Sequence, residues 1–166
     1  LMRSKTLALP RELDRQQLQF FEHWYHAAIL ELFRLPKAKA QPEWVAQALQ
    51  PAITVPQAKK ALSLLTTLGY LAEEGDTLRP TEVTISTGDE ALGMALASFH
   101  QQMIELAKQS IQNIPATERE ISAVTIAVSE KLAAQMKTEI IALRKRFLKW
   151  AADEQDADRI VQANFQ

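Results

Sequence analysis

From residue 18 the apolar positions Leu18, Phe21, Tyr25, Ala28 and Leu32 recur at helical spacing, and Pro36 ends the stripe. Asp14-Arg15-Gln16-Gln17 has the spacing of a capping box ahead of it, with Leu13 and Leu18 placed to staple across the cap. A short second helix opens at Pro42, pairs Trp44 with Ala48 and Val45 with Leu49, and stops at Pro51. The third helix is better marked. Thr54-Val55-Pro56-Gln57 is a second capping box, Ala58, Ala61, Leu62, Leu65 and Leu68 share one apolar face, and Gly69 closes the helix. Two β-favouring pieces, Tyr70 to Ala72 and Thr77 to Arg79, then flank Glu73-Glu74-Gly75-Asp76, a hairpin turn by composition. Three helices followed by a hairpin predict a winged helix-turn-helix over residues 14–85.

The pattern beyond it predicts a second unit over residues 86–166. Thr87-Gly88-Asp89-Glu90 supplies a third capping box, and Leu92, Leu96, Phe99, Met103 and Leu106 form the face of a long amphipathic helix that runs until Pro115. Val124, Ile126 and Val128 alternate with smaller or polar residues, which predicts a half-buried strand. Ser129 is placed to cap a final helix through Leu132, Met136, Ile140, Leu143, Phe147 and Trp150. The apolar piece from Ile160 to Phe165 reads as a strand able to pair with the central one. The expected fold class is thus mostly α with small β (α+β): a winged helix-turn-helix followed by a helix-strand-helix-strand unit. A chain opening Leu1-Met2-Arg3 and ending in an unfinished strand also reads as cut at both ends from a longer protein.

Composition narrows the classes. With 166 residues, 47% of them hydrophobic, the chain is long enough for a buried core. Its 19 basic and 20 acidic residues create no overall field that would draw it to nucleic acid or to an acidic membrane. The absence of Cys excludes disulfides, thiolate metal sites and a thiol nucleophile, and suits a reducing cytosol. No apolar run has the length of a membrane span, so the expectation is a soluble, cytoplasmic protein without membrane association.

Candidate chemistry is local. The third helix offers Lys59, Lys60, Ser63 and Thr67 away from its apolar face, and with Arg79 of the hairpin these are candidate DNA contacts. Against them stand Glu73, Glu74 and Asp76, which would face phosphates in the usual winged-helix docking. Arg144, Lys145, Arg146 and Lys149 form a basic cluster near the end of the last helix, where cations complement the helix dipole or contact phosphate. Asp153, Glu154, Asp156 and Asp158 follow, without the loop glycine and terminal Glu of an EF-hand. His23, His26 and His100 could together hold zinc, although a three-residue spacing is not that of a His-Glu-x-x-His metalloprotease. Trp24, Tyr25, His26, Trp44 and His100 are candidate walls of a ligand pocket, or equally the core where the first helices meet. Ser86 to Glu90 offers backbone amides at a helix start, already countered by Asp89 and Glu90. No nucleophile elbow or phosphate-cradling glycine loop is legible, so neither an enzyme nor a cofactor is expected.

Three separated runs, Phe20-Phe21-Glu22-His23-Trp24-Tyr25-His26-Ala27-Ala28-Ile29, Ser86-Thr87-Gly88-Asp89-Glu90 and Phe99-His100-Gln101-Gln102-Met103, occur here in that order. Together they resemble an uncharacterised bacterial family, the Fibrobacter succinogenes major paralogous domain, over about Phe20 to Gln166. The resemblance implies a regulator-like protein whose longer members carry an N-terminal helix-turn-helix, and it carries over no catalytic residue. The expected function is the C-terminal sensory or assembly part of a bacterial transcription regulator. Such a part would act as a homodimer and bias an N-terminal DNA-reading domain of a longer parent. The alternatives are a winged helix that reads DNA itself and a histidine-based metal enzyme.

Overall fold

The computed structural model describes residues 18–81 and 90–165. These are mostly helical, with one two-stranded antiparallel sheet. The first capping box at 14–17 and most of the third, at 87–90, lie outside the described residues.

The expected first helix is interrupted. Residues 18–21 are helical, the chain turns at Glu22, His23 is extended (φ −136°, ψ 134°), and α1 (Trp24–Leu32) begins anew. On an unbroken helix Phe20 would lie on the side opposite Ile29, nine residues on, yet the two are 4% and 0% exposed. The break lets both enter one core. It also frees two backbone groups, and the side chain of Gln102 takes both: its Nε2 donates to the Glu22 carbonyl (3.1 Å) and its Oε1 accepts from the Trp24 N–H (2.9 Å).

α2 (Pro42–Ala48) starts on its proline and buries Val45 and Ala46. α3 (Val55–Thr67) carries the predicted reciprocal cap, with the Gln57 N–H donating to Thr54 Oγ1 (3.3 Å) and the Thr54 N–H to Gln57 Oε1 (2.8 Å). Gly69, at φ +73°, reverses the chain where a side chain would be strained. β1 (Leu71–Glu74) and β2 (Thr77–Pro80) pair with Glu74 opposite Thr77, which leaves Gly75-Asp76 as a two-residue turn. Only Gly75 has positive φ (+61°), the arrangement of a type II′ hairpin. Phe33, Ile29, Leu65, Leu71 and Val45 are the largest fully buried side chains, so α1, α2, α3 and the hairpin share one core.

α4 (Glu90–Asn113) adds Ala95, Leu96 and Phe99 to that core, with Phe99 edge-to-face on Phe21 at 5.5 Å. The chain divides into two compact units inside this helix, after Glu105. The second unit holds the rest of α4, a 3-10 turn at Ala116–Glu118 and α5 (Glu130–Asp153), which Ser129 caps as the sequence predicts, accepting from the Leu132 N–H at 3.2 Å. None of the residues of α5 is buried. The strands expected at 124–128 and 160–165 are not formed: β1–β2 is the only sheet among the described residues. Alternation specifies which side chains would share a face, but a strand exists only where a partner takes its backbone groups. Val124, Ile126 and Val128 instead stand 75%, 55% and 40% exposed.

Candidate functional site

The capping box and the apolar stripe of α3 decide which of its residues face outward. With Ala58, Ala61, Leu62 and Leu65 buried, Lys59, Lys60, Ser63 and Thr67 are all exposed, as the DNA-contact reading requires. Ser63 and Thr67 line an open groove of about 560 Å³ between α3 and the hairpin, together with Thr66, Thr77, Glu73 and Asp76. The two charged side chains of that lining are both acidic, and neither lysine belongs to it. A phosphate backbone entering the groove would meet carboxylates and hydroxyls. Thr66 and Thr77 escaped the sequence reading, although Thr66 stands one turn after Ser63 on the exposed face.

Arg79, the fifth candidate, is held inward. Its Nη1 donates to the carbonyls of Phe33 (2.9 Å), the C-cap of α1, and of Leu35 (3.4 Å), two residues on. Its Nε lies 3.6 Å from Glu74, a solvent-exposed pair of small energetic weight. The guanidinium therefore ties the hairpin to the end of α1. Thr81 makes a second tie, donating through Oγ1 to the Gly69 carbonyl at 2.6 Å.

The five candidate pocket residues do not converge on a hollow. Tyr25 and His26 are buried in the core, Trp24 and Trp44 pack half-buried against it, and His100 is exposed on α4. A second hollow, of about 300 Å³, is lined by Phe20, Leu30, Tyr70 and Pro80 with the Glu31–Arg34 pair, and by none of the five. His23 stacks on Tyr25 at 4.8 Å and meets the His26 ring edge-on at 5.5 Å, but His100 does not join them. No group of three metal-ligating side chains occurs among the described residues.

His26 has a structural use. Phe20 O lies 3.0 Å from Nδ1, which fixes Nδ1 as the protonated nitrogen of the neutral ring, and this bond ties the two sides of the helix break. Burial pushes the imidazole pKa below its ordinary value, aided by His23, while the Phe20 carbonyl and Glu22 oppose the shift. Below the ordinary histidine pKa of about 6.5 the unfolded chain takes up a proton that the folded chain resists, so stability falls with pH there. The urea midpoint is expected to drop between pH 7 and pH 5, and His26→Gln to flatten that drop. An equal drop in the variant would remove His26 as its cause.

In the second unit, Arg144, Lys145, Arg146 and Lys149 are exposed on α5. The dipole explanation for them fails: α5 continues to Asp153 and its last turn contains no basic residue, whereas the dipole acts mainly within that turn. Of the acidic run, Asp158 is engaged by its neighbour Arg159 at 2.7 Å, whose hydrogen bond and charge lower its carboxyl pKa. The Glu154 carboxylate accepts from the Asp156 N–H at 2.8 Å. No described helix is long and apolar enough to cross a membrane.

Residues 4–166 match the model of a family described as a domain of unknown function (DUF4423). No curated protein and no solved structure matches the chain.

Proposed function

The chain belongs to the DUF4423 family, and we propose that it is the C-terminal sensory and assembly module of a bacterial transcription-regulator-like protein, working through protein contacts. The observation that carries this reading is α5: a 24-residue amphipathic helix with no buried residue, whose Leu148 and Trp150 are 66% and 61% exposed. Apolar surface of that extent on a cytoplasmic chain fits a protein partner. The three-helix and hairpin arrangement supports a winged-helix ancestry, while the carboxylates of its groove favour protein over phosphate as the neighbour. The resemblance of three separated runs of the chain to the Fibrobacter paralogous domain supports the further proposal of a DNA-reading domain on the N-terminal side of a longer parent. No catalysis is assigned. Regulation would be a population shift, with a ligand or partner favouring one arrangement of the attached readers over another.

The exposure of Lys59, Lys60, Ser63 and Thr67 on α3 favours a second reading, direct DNA binding. Titration into labelled duplex DNA separates the two. We expect any binding at low salt to vanish near physiological salt, since contacts to several phosphates weaken steeply over that range. Sequence-preferring binding that survives, and is lost in Lys59→Glu with Lys60→Glu, would establish the second reading instead.

A further inference from the structure

The period of two along the hairpin sorts its charges onto opposite faces. Glu74 and Arg79 share one face and approach to 3.6 Å, and the same guanidinium serves the Phe33 carbonyl. Glu73 lies on the other face with Leu71, two residues before it, and with Leu78, its cross-strand partner. That face enters the core at Leu71, which is 1% exposed, and opens at Glu73 into the groove beside α3. The cation of the hairpin is thus engaged on the side away from the groove.

Negative potential collects in the groove without a counter-charge. Glu73 and Asp76 form no ion pair with described residues. α3 ends beside them with no basic residue in its last turn, so no cation offsets the negative end of its dipole. Lys59 and Lys60 stand about one turn before Ser63, outside the lining. The hydroxyls of Ser63, Thr66 and Thr67 make no hydrogen bond with described residues and are able to accept one. Leu62, Leu78 and Ala40 complete the wall with apolar surface.

Phosphate is repelled by this lining, and it holds no group of three metal-ligating side chains. What complements it is a cation with several N–H donors on an apolar stem, which describes an arginine side chain. Resting on the reading that the chain works through protein contacts, we propose that the groove between α3 and the hairpin receives an arginine-bearing segment of a protein partner. The guanidinium donates to the carboxylates of Glu73 and Asp76 and to the hydroxyls of α3, while its methylenes cover Leu62 and Leu78. The groove is open to solvent, so the contact is reversible and weakened by salt.

Fluorescence anisotropy of a short labelled peptide of alternating arginine and alanine, titrated with the whole chain at low and near-physiological salt, tests the proposal. Glu73→Gln with Asp76→Asn keeps side-chain size and the turn, and should weaken binding about tenfold, the scale of a lost hydrogen bond between charged groups. Asp153→Asn with Asp156→Asn removes the same net charge at the end of α5 and should change the affinity by less than about twofold, since exposed charges beyond a Debye length are screened. Thr67→Lys, which gives the groove a cation of its own, should weaken binding as Glu73→Gln with Asp76→Asn does. With citrulline, the neutral isostere, in place of arginine, the wild type should lose its advantage over that pair. Failure of the peptide to bind, or an equal affinity of wild type and Glu73→Gln with Asp76→Asn, would overturn the groove as the site and leave standing the assembly reading, which rests on α5. An equal loss in both double variants would reduce the attraction to net charge and overturn the site as well. Displacement of the peptide by less spermidine than unlabelled peptide would replace the protein partner with a free polyamine. Duplex DNA that binds near physiological salt and displaces the peptide would overturn both readings.

Discussion

Phe33→Ala is expected to lower the unfolding free energy of the first unit by about 3–5 kcal/mol, the cost of removing a buried aromatic ring and leaving a cavity. The ring is 0% exposed and is among the largest fully buried side chains. It stands where α1 ends, and its own carbonyl receives Arg79, so the residue joins side-chain packing to the anchorage of the hairpin. Relaxation around the void is therefore limited on the backbone side. A loss of this size is a large fraction of the stability of an ordinary domain. Urea unfolding followed by far-UV circular dichroism measures it, with Phe33→Leu expected to lose much less because most of the volume remains. A loss below about 1 kcal/mol would mean that the core rests elsewhere.

Gln102→Met should cost about 2 kcal/mol, because it keeps the length of the side chain and removes both hydrogen bonds at the helix break. The Trp24 N–H is partly buried, so losing its acceptor weighs more than losing the donor to the solvent-exposed Glu22. Hydrogen exchange locates the effect: the Trp24 amide should exchange faster in the variant, out of proportion to amides in the middle of α3. Equal acceleration at all sites would make Gln102 a general packing residue.

These two side chains mark where sequence reading succeeds and where it stops. The cap of α3, its closure at Gly69 and the turn at Gly75 were legible because each depends on residues within a few positions of one another. The break at Glu22–His23 was not, since the group that stabilises it lies about eighty residues away on α4. Helical periodicity across 18–32 is real, but it does not register one turn lost to bring Phe20 inward. Arg79 was misjudged for a related reason. Its residue type suits phosphate and carbonyl equally, and its acceptors lie just past the end of α1, more than forty residues earlier. The alternation at 124–128 reports β-preference correctly, yet nothing in those residues supplies a neighbouring strand. Of the candidate site, the exposed face of α3 and the acidity of the hairpin could be read directly. The groove between them needed the turn at Gly69 to bring Ser63, Thr67, Glu73 and Asp76 to one place.

The open stretch from Ile121 to Val128 has a consequence for the chain at high concentration. It is rich in β-branched residues, holds no charge, Pro or Gly, and every residue in it is exposed. Segments of that composition stack into cross-β fibrils when copies meet edge to edge. Glu118, Arg119 and Glu120 precede it and Glu130 and Lys131 follow, so a growing stack would accumulate like charges at both ends of each added strand. Those flanking residues act as gatekeepers, keeping a sticky segment in solution without requiring that it be folded away.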